Sequence, residues 1–430
     1  MNKQILRLAI PNILSNLSVP LLGIADTALM GRLEDSALYI GAIALGTIIF
    51  NFIYWGFGFL RMGSTGLSAQ AFGAGERVES IMVLCRALGV ALIGGFLILL
   101  LQEPIGWLSF GLLKGDEEVK ELARSYYYIR IWAAPATIAS YAFHGWFLGM
   151  QNARIPMYLT IAVNALNIGL NFLFVFGLGM KSDGVALATV IAQYVGIVLA
   201  IVFFRIHYWE RIQDIQRAKL FEPDALKKFF QVSRDIFIRT LCLVFVFTFF
   251  TNESSALGKD ILAANSILLQ FFLILGFGID GFAFAAESLV GKHKGAEAWE
   301  ELKLSIKYLF VWGVGIAAIG SFVYFLIPYP LLNIFTKEQG LIELSYSYFY
   351  WMIAVSFVGA FAFIWDGVYI GATATRAMRN MMLLSIPIFF LSYYVLVENW
   401  GNDALWLAML LFMFARAISL TWVAKKNILS

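Results

Sequence analysis

The chain repeats itself after about 222 residues. The segment Glu121-Leu122-x-x-Ser125-Tyr126-x-Tyr128 returns as Glu343-Leu344-x-x-Ser347-Tyr348-x-Tyr350. At the same offset further along, the three residues Gly145, Gly149 and Arg154 correspond to Gly367, Gly371 and Arg376. An offset that is kept without a gap over such a length indicates a duplicated unit, and an internal repeat constrains the whole architecture.

Composition places this repeat in a membrane. Of the 430 residues, 60% are hydrophobic and 14% are charged, whereas soluble domains carry about 25% charged residues. Apolar stretches of about 20 residues, which is enough to cross a bilayer, recur along the whole length. We count twelve such stretches: 8–31, 39–62, 82–110, 125–149, 156–179, 184–205, 232–252, 261–289, 304–334, 345–372, 378–398 and 403–424. The pattern predicts an all-α polytopic membrane protein with twelve transmembrane helices in two pseudosymmetric six-helix bundles.

The predicted division is an N-terminal six-helix lobe at 1–205, a linker at 206–231 and a C-terminal six-helix lobe at 232–430. The linker mixes both signs of charge over an amphipathic pattern, which is typical of an interfacial segment. If the N-terminus is cytoplasmic, most of the 31 lysines and arginines fall on inside segments, as the positive-inside rule requires. We therefore expect a multi-pass protein of the bacterial inner (plasma) membrane with both termini in the cytoplasm.

The even number of spans in each half indicates parallel repeats, which enclose a central cleft that opens to either side when the halves rock. This arrangement favours an alternating-access carrier over a channel or a membrane enzyme. The sequence contains no G-x-x-x-x-G-K-[ST] loop and no H-E-x-x-H among its three histidines, so neither ATP hydrolysis nor a metal site is indicated. We expect no enzymatic activity and no cofactor, with an ion gradient as the energy source. The net charge of +3 does not indicate a nucleic-acid partner.

Asp26 is the most informative polar residue within a predicted span. It lies late in the first span, six residues after Pro20, and a proline removes a backbone hydrogen bond and makes a helix easy to bend. Apolar surroundings disfavour the charged form of a carboxylate, so this residue could exchange a proton and couple that exchange to a change in helix shape. The alternative is a structural aspartate that is hydrogen-bonded to neighbouring helices.

The fifth span carries Asn164, Asn167 and Asn171 at i, i+3 and i+7, which places them on one helical face. Thr189 and Gln193 begin the sixth span at a similar depth. One carboxylate with amide and hydroxyl oxygens suits a proton relay or a weak Na⁺ site, although such residues also hold spans together. The predicted ion-coupling residues are Asp26, Asn167, Asn171 and Thr189, and the secondary polar pocket is formed by Asn164 and Gln193.

The C-terminal half carries different polar groups. Asp280 and Glu287 lie seven residues apart in the eighth span, and Asp366 lies late in the tenth. Arg61 and Arg239 are expected on the same side of the membrane. Opposite charges at similar depth more often form structural or gating ion pairs than a substrate site, and we predict such a network here.

A family resemblance is carried by a series of short segments. They are Pro11, Ser15-Asn16, Val19-Pro20-Leu21-Leu22-Gly23, Asp26-Thr27-Ala28, Arg61-Met62, Thr65-Gly66-Leu67, Ala69-Gln70-Ala71-Phe72-Gly73-Ala74, Leu166-Asn167-Ile168, Ala186-Leu187-Ala188-Thr189-Val190-Ile191-Ala192, Arg234-Asp235-Ile236, Asp280-Gly281-Phe282-Ala283, Asp366-Gly367 and Ile370-Gly371-Ala372-Thr373. With these segments the chain resembles the multidrug and toxic compound extrusion (MATE) family, in its DinF branch, over essentially its whole length.

The resemblance implies the twelve-helix MATE/MOP-type fold and the export of cationic or amphipathic organic compounds against inward H⁺ or Na⁺. By position, Asp26 matches the family's ion-coupling acid, and Asn167 and Thr189 match polar members of the same pocket. Relatives commonly carry a second carboxylate where this chain has Asn171, so H⁺ is preferred over Na⁺ as the coupling ion.

The expected partners are small organic substrates and the lipid bilayer, with the protein as a monomer. Two alternatives stay open. One is a flippase for lipid-linked sugars, for which Arg61, Arg130 and Arg239 would have to line a cationic cleft. The other is a membrane sensor without transport activity.

Overall fold

The computed structural model describes residues 1–33, 35–113 and 116–429. These residues fold into helices joined by short connections, and no strand occurs among them. The helices are α1 (Asn2–Met30), α2 (Ser36–Gly56), α3 (Gly58–Gly73), α4 (Arg77–Leu100), α5 (Gln102–Leu112), α6 (Glu117–Arg130), α7 (Ala134–Gly149), α8 (Arg154–Phe172), α9 (Ser182–Tyr208), α10 (Arg217–Leu220), α11 (Pro223–Ala256), α12 (Lys259–Gly295), α13 (Trp299–Leu326), α14 (Pro328–Phe335), α15 (Gln339–Gly371), α16 (Thr375–Trp400) and α17 (Asn402–Asn427).

Helices suit this composition because hydrocarbon offers no partner to backbone N–H and C=O groups, which a helix satisfies internally. In the described part of the chain, ten helical stretches are long and apolar enough to cross a membrane. They comprise α1, α2 with α3, α4, α8, α9, α12, α13, α15, α16 and α17. The remaining predicted spans, 125–149 and 232–252, fall on α6–α7 and on α11. The predicted all-α membrane fold is confirmed.

Four predicted spans are divided rather than single helices: 39–62 at Phe57 between α2 and α3, 125–149 at the 3₁₀ turn between α6 and α7, and the two that follow. The span predicted at 82–110 is divided into α4 and α5 at Leu101, and the span at 304–334 is divided into α13 and α14 at Ile327. Pro104 lies in the first turn of α5, and Pro328 begins α14. Proline is tolerated in a first turn, where its missing N–H is not needed, but it interrupts a continuous helix.

Proline also distinguishes the two halves at the fourth and tenth spans. In the N-terminal half, the fourth span is broken by a 3₁₀ turn at Ile131–Ala133, which lies between α6 and α7 just before Pro135. The C-terminal version, α15, continues through the corresponding residue Phe357 without a break. The missing N–H and the ring of Pro135 account for the break, because both oppose a regular helical turn before the proline.

The duplication extends to the turns between helices. Backbone φ angles in the left-handed region occur in pairs about 222 residues apart: Gly75 (72°) with Glu297 (54°), Gln151 (62°) with Thr373 (50°), and Gly179 (67°) with Gly401 (50°). Non-glycine residues adopt this conformation only at an energetic cost. Its reappearance at Glu297 and Thr373 therefore indicates that the turn geometry is retained in both halves although the residues differ.

The repeated glycines also make equivalent contacts. A Cβ atom at Gly145 would lie 2.2 Å from the carbonyl oxygen of Arg61, and one at Gly367 would lie 2.2 Å from that of Ala283. In both halves a long helix thus packs directly on the backbone of its neighbour, as small residues allow in membrane helices. This close approach explains why these two positions match in the repeat.

The chain divides into two compact units. The N-terminal unit contains the described residues of 14–72 and 76–229, and the C-terminal unit contains those of 1–13, 73–75 and 230–429. The predicted linker, 206–231, groups almost entirely with the N-terminal unit. It is fixed there by the buried Arg86, which donates hydrogen bonds to the carbonyl oxygens of Lys219 (2.7 Å) and Leu220 (3.3 Å).

Candidate functional site

A continuous chain of hydrogen bonds joins three helices of the N-terminal unit. Asn171 Nδ2 donates to Asp26 Oδ1 at 2.6 Å and to Asn167 Oδ1 at 2.9 Å. Asn167 Nδ2 donates to Thr189 Oγ1 at 3.0 Å, and that hydroxyl donates to the carbonyl oxygen of Val185 at 3.0 Å. We call Asp26, Asn171, Asn167 and Thr189 the acid–amide chain. These are the four residues that the sequence predicted to converge, although their role in ion coupling remains a prediction.

The local helices explain why these side chains meet. Asn167 and Asn171 are one turn apart on α8, so their amides bond to each other along one face. Thr189 bonds back to the carbonyl of the preceding turn of α9. Two residues after Asn171, α8 changes into a π-helical turn at Leu173–Gly177, in which Leu178 N donates to Leu173 O. Such turns are frequent at functional sites because they reorient neighbouring side chains.

A second contact ties α1 to α8 two turns earlier. Asn164 Nδ2 donates to Ser18 Oγ at 3.1 Å and to the carbonyl oxygen of Ser18 at 3.3 Å. Ser18 bonds to Asn164, and Asp26, later in α1, bonds to Asn171, later in α8. The two helices therefore lie side by side and run in the same direction. Pro20 falls between the two contacts. Of the predicted secondary pocket, Asn164 contacts α1, and Gln193 lies half-buried on α9, one turn beyond Thr189; their joint role remains a prediction.

Burial differs sharply within the acid–amide chain. The side chains of Asn171 and Asn167 are 0% and 2% exposed, whereas Asp26 is half-buried. Asn171 Oδ1 is buried and makes no hydrogen bond. A buried acceptor without a donor is costly, so this oxygen is an available position for a proton donor or a cation beside Asp26.

A different arrangement holds Asp366 in the C-terminal unit. Its Oδ2 accepts hydrogen bonds from Arg239 Nη2 and from Arg416 Nη2, the latter at 2.5 Å. All three side chains are buried, and Arg416 also stacks on the ring of Phe412, with 5.4 Å from Cζ to the ring centroid. We call Asp366, Arg239 and Arg416 the arginine cluster. Two guanidinium groups thus form ion pairs with one buried carboxylate.

Two members of the predicted network, Arg239 and Asp366, are bonded to each other, and Arg416 joins them. In the orientation argument Arg416 counted among the basic residues of inside segments, but its side chain is 1% exposed within the protein. Asp280, half-buried, and Glu287, 2% exposed, lie on α12 of the same unit. Arg61 lies on α3 of the N-terminal unit. The gating role of all these residues remains a prediction.

Among the described residues, no group of three or more His, Cys, Asp or Glu side chains could hold a metal ion. A hard cation such as Na⁺ needs several oxygen ligands. In the acid–amide chain Asn171 turns its NH₂ group toward Asp26, and Asn167 Oδ1 already accepts a hydrogen bond.

Comparisons with known proteins agree with the duplicated helical fold. The MatE family model matches residues 11–173 and 236–395, so the same model describes both halves. DNA damage-inducible protein F of Escherichia coli (strain K12) is 36% identical over 99% of this chain and 92% of its own length. A probable multidrug resistance protein NorM of Rhizobium meliloti (strain 1021) is 27% identical over 97% of this chain and 91% of its own.

The fold also matches solved structures. One is a multidrug resistance MATE family transporter of the MOP superfamily in an outward-facing conformation. It superposes with a TM-score of 0.87 over 99% of this chain and 95% of that chain, at 19% sequence identity. With two stretches matched by the family model and a full-length relative above 30% identity, the chain belongs to the MatE family, the family of the MATE transporters whose fold it shares.

Proposed function

We propose that this chain is a secondary active transporter that exports cationic or amphipathic organic compounds by alternating access, coupled to H⁺ influx through Asp26. Two comparisons support the transport class: the Rhizobium relative is named a probable multidrug resistance protein, and the solved structure is described as outward-facing. The observation that carries the coupling is the hydrogen bond from Asn171 to Asp26.

This bond depends on the protonation state of Asp26. An ionised carboxylate is a strong acceptor for an amide N–H, and a protonated one loses its charge and gains an O–H donor. Asn171 Oδ1 has no hydrogen-bond donor of its own, so rotation of this amide would offer the O–H an acceptor. Each protonation state of Asp26 therefore has its own arrangement of the acid–amide chain.

The change would be transmitted along α1 because Pro20 separates its two polar attachments to α8. The bonds of Asn164 to Ser18 involve no titratable group, so a proton on Asp26 does not alter their partners. In the part of α1 that follows Pro20, apolar side chains such as Leu21 and Ile24 are exposed. The bond between Asp26 and Asn171 is the polar contact with α8 that the described residues show in this part of the helix. Breaking or remaking that bond would then change the angle of α1 at Pro20.

The sugar-flippase alternative is less well supported. It requires unpaired arginines in a cationic cleft, but Arg239, one of the three arginines that would line it, is ion-paired with Asp366. No observation on the described residues favours a sensor without transport activity over a carrier.

Efflux from proteoliposomes tests the proposal. Either a pH gradient or a Na⁺ gradient is imposed across the liposome membrane. Uptake of a fluorescent organic cation into the liposomes is then followed for wild type and Asp26→Asn. We expect the pH gradient to drive transport by wild type and the variant to fall to the level of empty liposomes.

Asp183→Asn is the matched control, because Asp183 lies in the same unit and bonds Ser125 rather than a member of the acid–amide chain. Transport by Asp26→Asn at the wild-type rate under the pH gradient would contradict the coupling role. Transport driven by the Na⁺ gradient alone would show that the coupling ion is Na⁺.

We also propose that the protein is a monomer in the bacterial inner membrane with both termini in the cytoplasm. The predominance of lysines and arginines on the inside segments supports this orientation. Reporter fusions at each terminus, one active only in the cytoplasm and one only outside it, would test it, and an outside signal at either end would contradict it.

A further inference from the structure

Aromatic side chains gather where α11 and α16 pack together in the C-terminal unit. We call them the ring cluster; they are Phe245, Phe249, Phe389, Phe390, Tyr393 and Tyr394. Phe249 of α11 is central, because its ring is flanked by rings of α16 at centroid distances between 4.8 and 6.1 Å. Its pairs with Phe390 and Tyr393 are edge-to-face, at 75° and 85°. This favourable geometry fixes the orientation of the rings.

Part of the ring cluster is buried and part is exposed. Phe389 and Tyr393 are 0% and 2% exposed, so they anchor the cluster within the C-terminal unit. Phe245 and Tyr394 are 56% and 61% exposed. Each of them packs on Phe390, with ring centroids 5.6 and 6.4 Å apart. The cluster therefore presents aromatic surface that is held in place from behind and is open to a ligand.

A carboxylate lies at one end of the ring cluster. Glu253 follows Phe249 by one turn of α11, and its Oε2 accepts a hydrogen bond from the hydroxyl of Tyr393 at 2.7 Å. In the part of the chain that the structure describes, no lysine, arginine or histidine forms an ion pair with Glu253. The rings thus border a half-buried acidic group whose charge no neighbouring cation of the protein offsets.

The repeat places the ring cluster where the other half has the acid–amide chain. At the offset of about 222 residues, Asn167 and Asn171 of α8 correspond to Phe389 and Tyr393 of α16. The same face of two equivalent helices therefore carries neutral amides in one half and aromatic rings in the other. Such a change of chemistry on a retained backbone is expected if the two halves bind different partners.

We propose that the ring cluster and Glu253 form a binding site for an amphipathic aromatic cation, the substrate of the proposed exporter. Aromatic faces attract organic cations, and a carboxylate adds Coulomb attraction. The apolar part of such a ligand would cover the exposed rings of Phe245 and Tyr394. Because neither attraction requires a directional hydrogen bond from the ligand, one site can accept cations of different shape. The inference rests on the proposed export function and names where its substrate binds.

Binding of tetraphenylphosphonium to the purified full-length protein in detergent tests the site. Tetraphenylborate is the matched probe, because it has nearly the same shape and the opposite charge. Isothermal titration calorimetry measures the Kd of both ions for wild type, Glu253→Gln and Phe249→Leu. Glutamine keeps an acceptor for the hydroxyl of Tyr393 and removes the charge, and thermal unfolding in the same detergent checks that each variant is folded.

Two control variants lie in the same unit. Asp403→Asn alters another carboxylate that accepts from a tyrosine hydroxyl, that of Tyr350 at 3.0 Å. Phe310→Leu removes a ring that packs on Trp365, with centroids 5.0 Å apart. Both controls should bind tetraphenylphosphonium as wild type does.

The two test variants should respond differently to the charge of the probe. Glu253→Gln should bind tetraphenylphosphonium about tenfold more weakly than wild type, and tetraphenylborate no more weakly, because only the cation is attracted by the carboxylate. Phe249→Leu should weaken tetraphenylphosphonium binding roughly fivefold, since a cation–π contact is lost. If Phe249→Leu does not fold, Glu253→Gln with the two probes still decides the matter.

Wild-type affinity of Glu253→Gln for tetraphenylphosphonium would overturn the proposal. An equal loss of affinity in Asp403→Asn would also overturn it, and so would a loss in Asp26→Asn that Glu253→Gln does not share. Because binding is measured without a gradient, the result is independent of ion coupling. Transport by Asp26→Asn would remove the proposed coupling and leave this site standing, whereas unaltered binding by Glu253→Gln would remove this site and leave the exporter standing.

Discussion

The two halves have similar backbone turns and helix contacts, but they differ in the groups that bond a carboxylate within a span. In the N-terminal unit, half-buried Asp26 is bonded by a neutral amide. In the C-terminal unit, buried Asp366 is bonded by two guanidinium groups. The hydrogen bond of Asp26 thus comes from a group without charge, whereas Asp366 belongs to a buried ion-pair network in which removal of one partner leaves the others uncompensated. This difference is consistent with the proposed switching role of Asp26 and with a structural role for Asp366.

The same contrast separates the asparagines of the two units. In the N-terminal unit Asn171 keeps one buried oxygen without a donor. In the C-terminal unit Asn265 donates to Ser254 and Asn402 and accepts from Asn402 and Trp406, at 2.7–3.1 Å. A fully satisfied amide network specifies one packed arrangement, and a partly satisfied one can be rearranged.

The largest effect should come from Asp366→Asn. This change leaves Arg239 and Arg416 buried without a counter-charge, and removing one partner of a buried pair costs about 3–5 kcal/mol. Unfolding in detergent by increasing denaturant, followed by tryptophan fluorescence, measures the loss of free energy. Asp26→Asn, in the same assay, should lose less than about 1 kcal/mol because its partner is neutral. Equal losses in the two variants would remove the distinction between the halves.

An intermediate effect is expected where the halves are alike. Gly145→Ala and Gly367→Ala each drive a methyl group against a backbone carbonyl, and such overpacking costs about 1–3 kcal/mol. The two unfolding free energies should fall by similar amounts, whereas Gly89→Ala, which has open space around it, should change stability little. A large loss of unfolding free energy at one of the two glycines with no loss at the other would show that the two helix contacts are not packed equally tightly.

The smallest losses of stability are expected for the two asparagine sites, which should differ in their effect on transport. Asn265→Ala should cost about 1–2 kcal/mol, since hydrogen bonds between membrane helices are individually weak, and should leave the dependence of transport on the pH gradient intact. Asn171→Ala should cost no more in stability and yet uncouple transport from that gradient. Measuring unfolding and proteoliposome transport on both variants checks this, and loss of coupling in Asn265→Ala would break the assignment.

Much of the N-terminal site could be predicted, because the sequence indicates both which residues share a helical face and how deep each residue lies in the membrane. Asn167 and Asn171 share a face by spacing, and Asp26 and Thr189 enter the predicted spans at matching depth. The amide orientation of Asn171 was not predictable, since nothing in the spacing determines whether its oxygen or its nitrogen faces Asp26.

Arginines were the weakest part of the sequence interpretation. Basic residues near the ends of spans normally indicate topology, so Arg416 was counted only as an inside residue and its pairing with Asp366 was missed. Arg130 carried no motif, and although it lies on α6 it contacts Thr47 and Phe50 of α2, which its position in the sequence does not indicate. Charge counting does not distinguish a solvated arginine from one buried beside a carboxylate or an aromatic ring.

The helix breaks show the same limit. Pro135 interrupts one span of the N-terminal half, but α1 runs from Asn2 to Met30 as one helix through both Pro11 and Pro20. A proline in a span therefore predicts a weak point, and whether the helix breaks there depends on packing that the sequence pattern does not contain.

Proton release on substrate binding tests the central claim most directly. The purified protein is placed in detergent with little buffer and a pH indicator, and the organic cation is added with and without Na⁺. The wild type should release protons independently of Na⁺, and Asp26→Asn should bind the cation without releasing any, while Asp183→Asn behaves like wild type. Undiminished proton release from Asp26→Asn would contradict the assignment of ion coupling to the N-terminal unit.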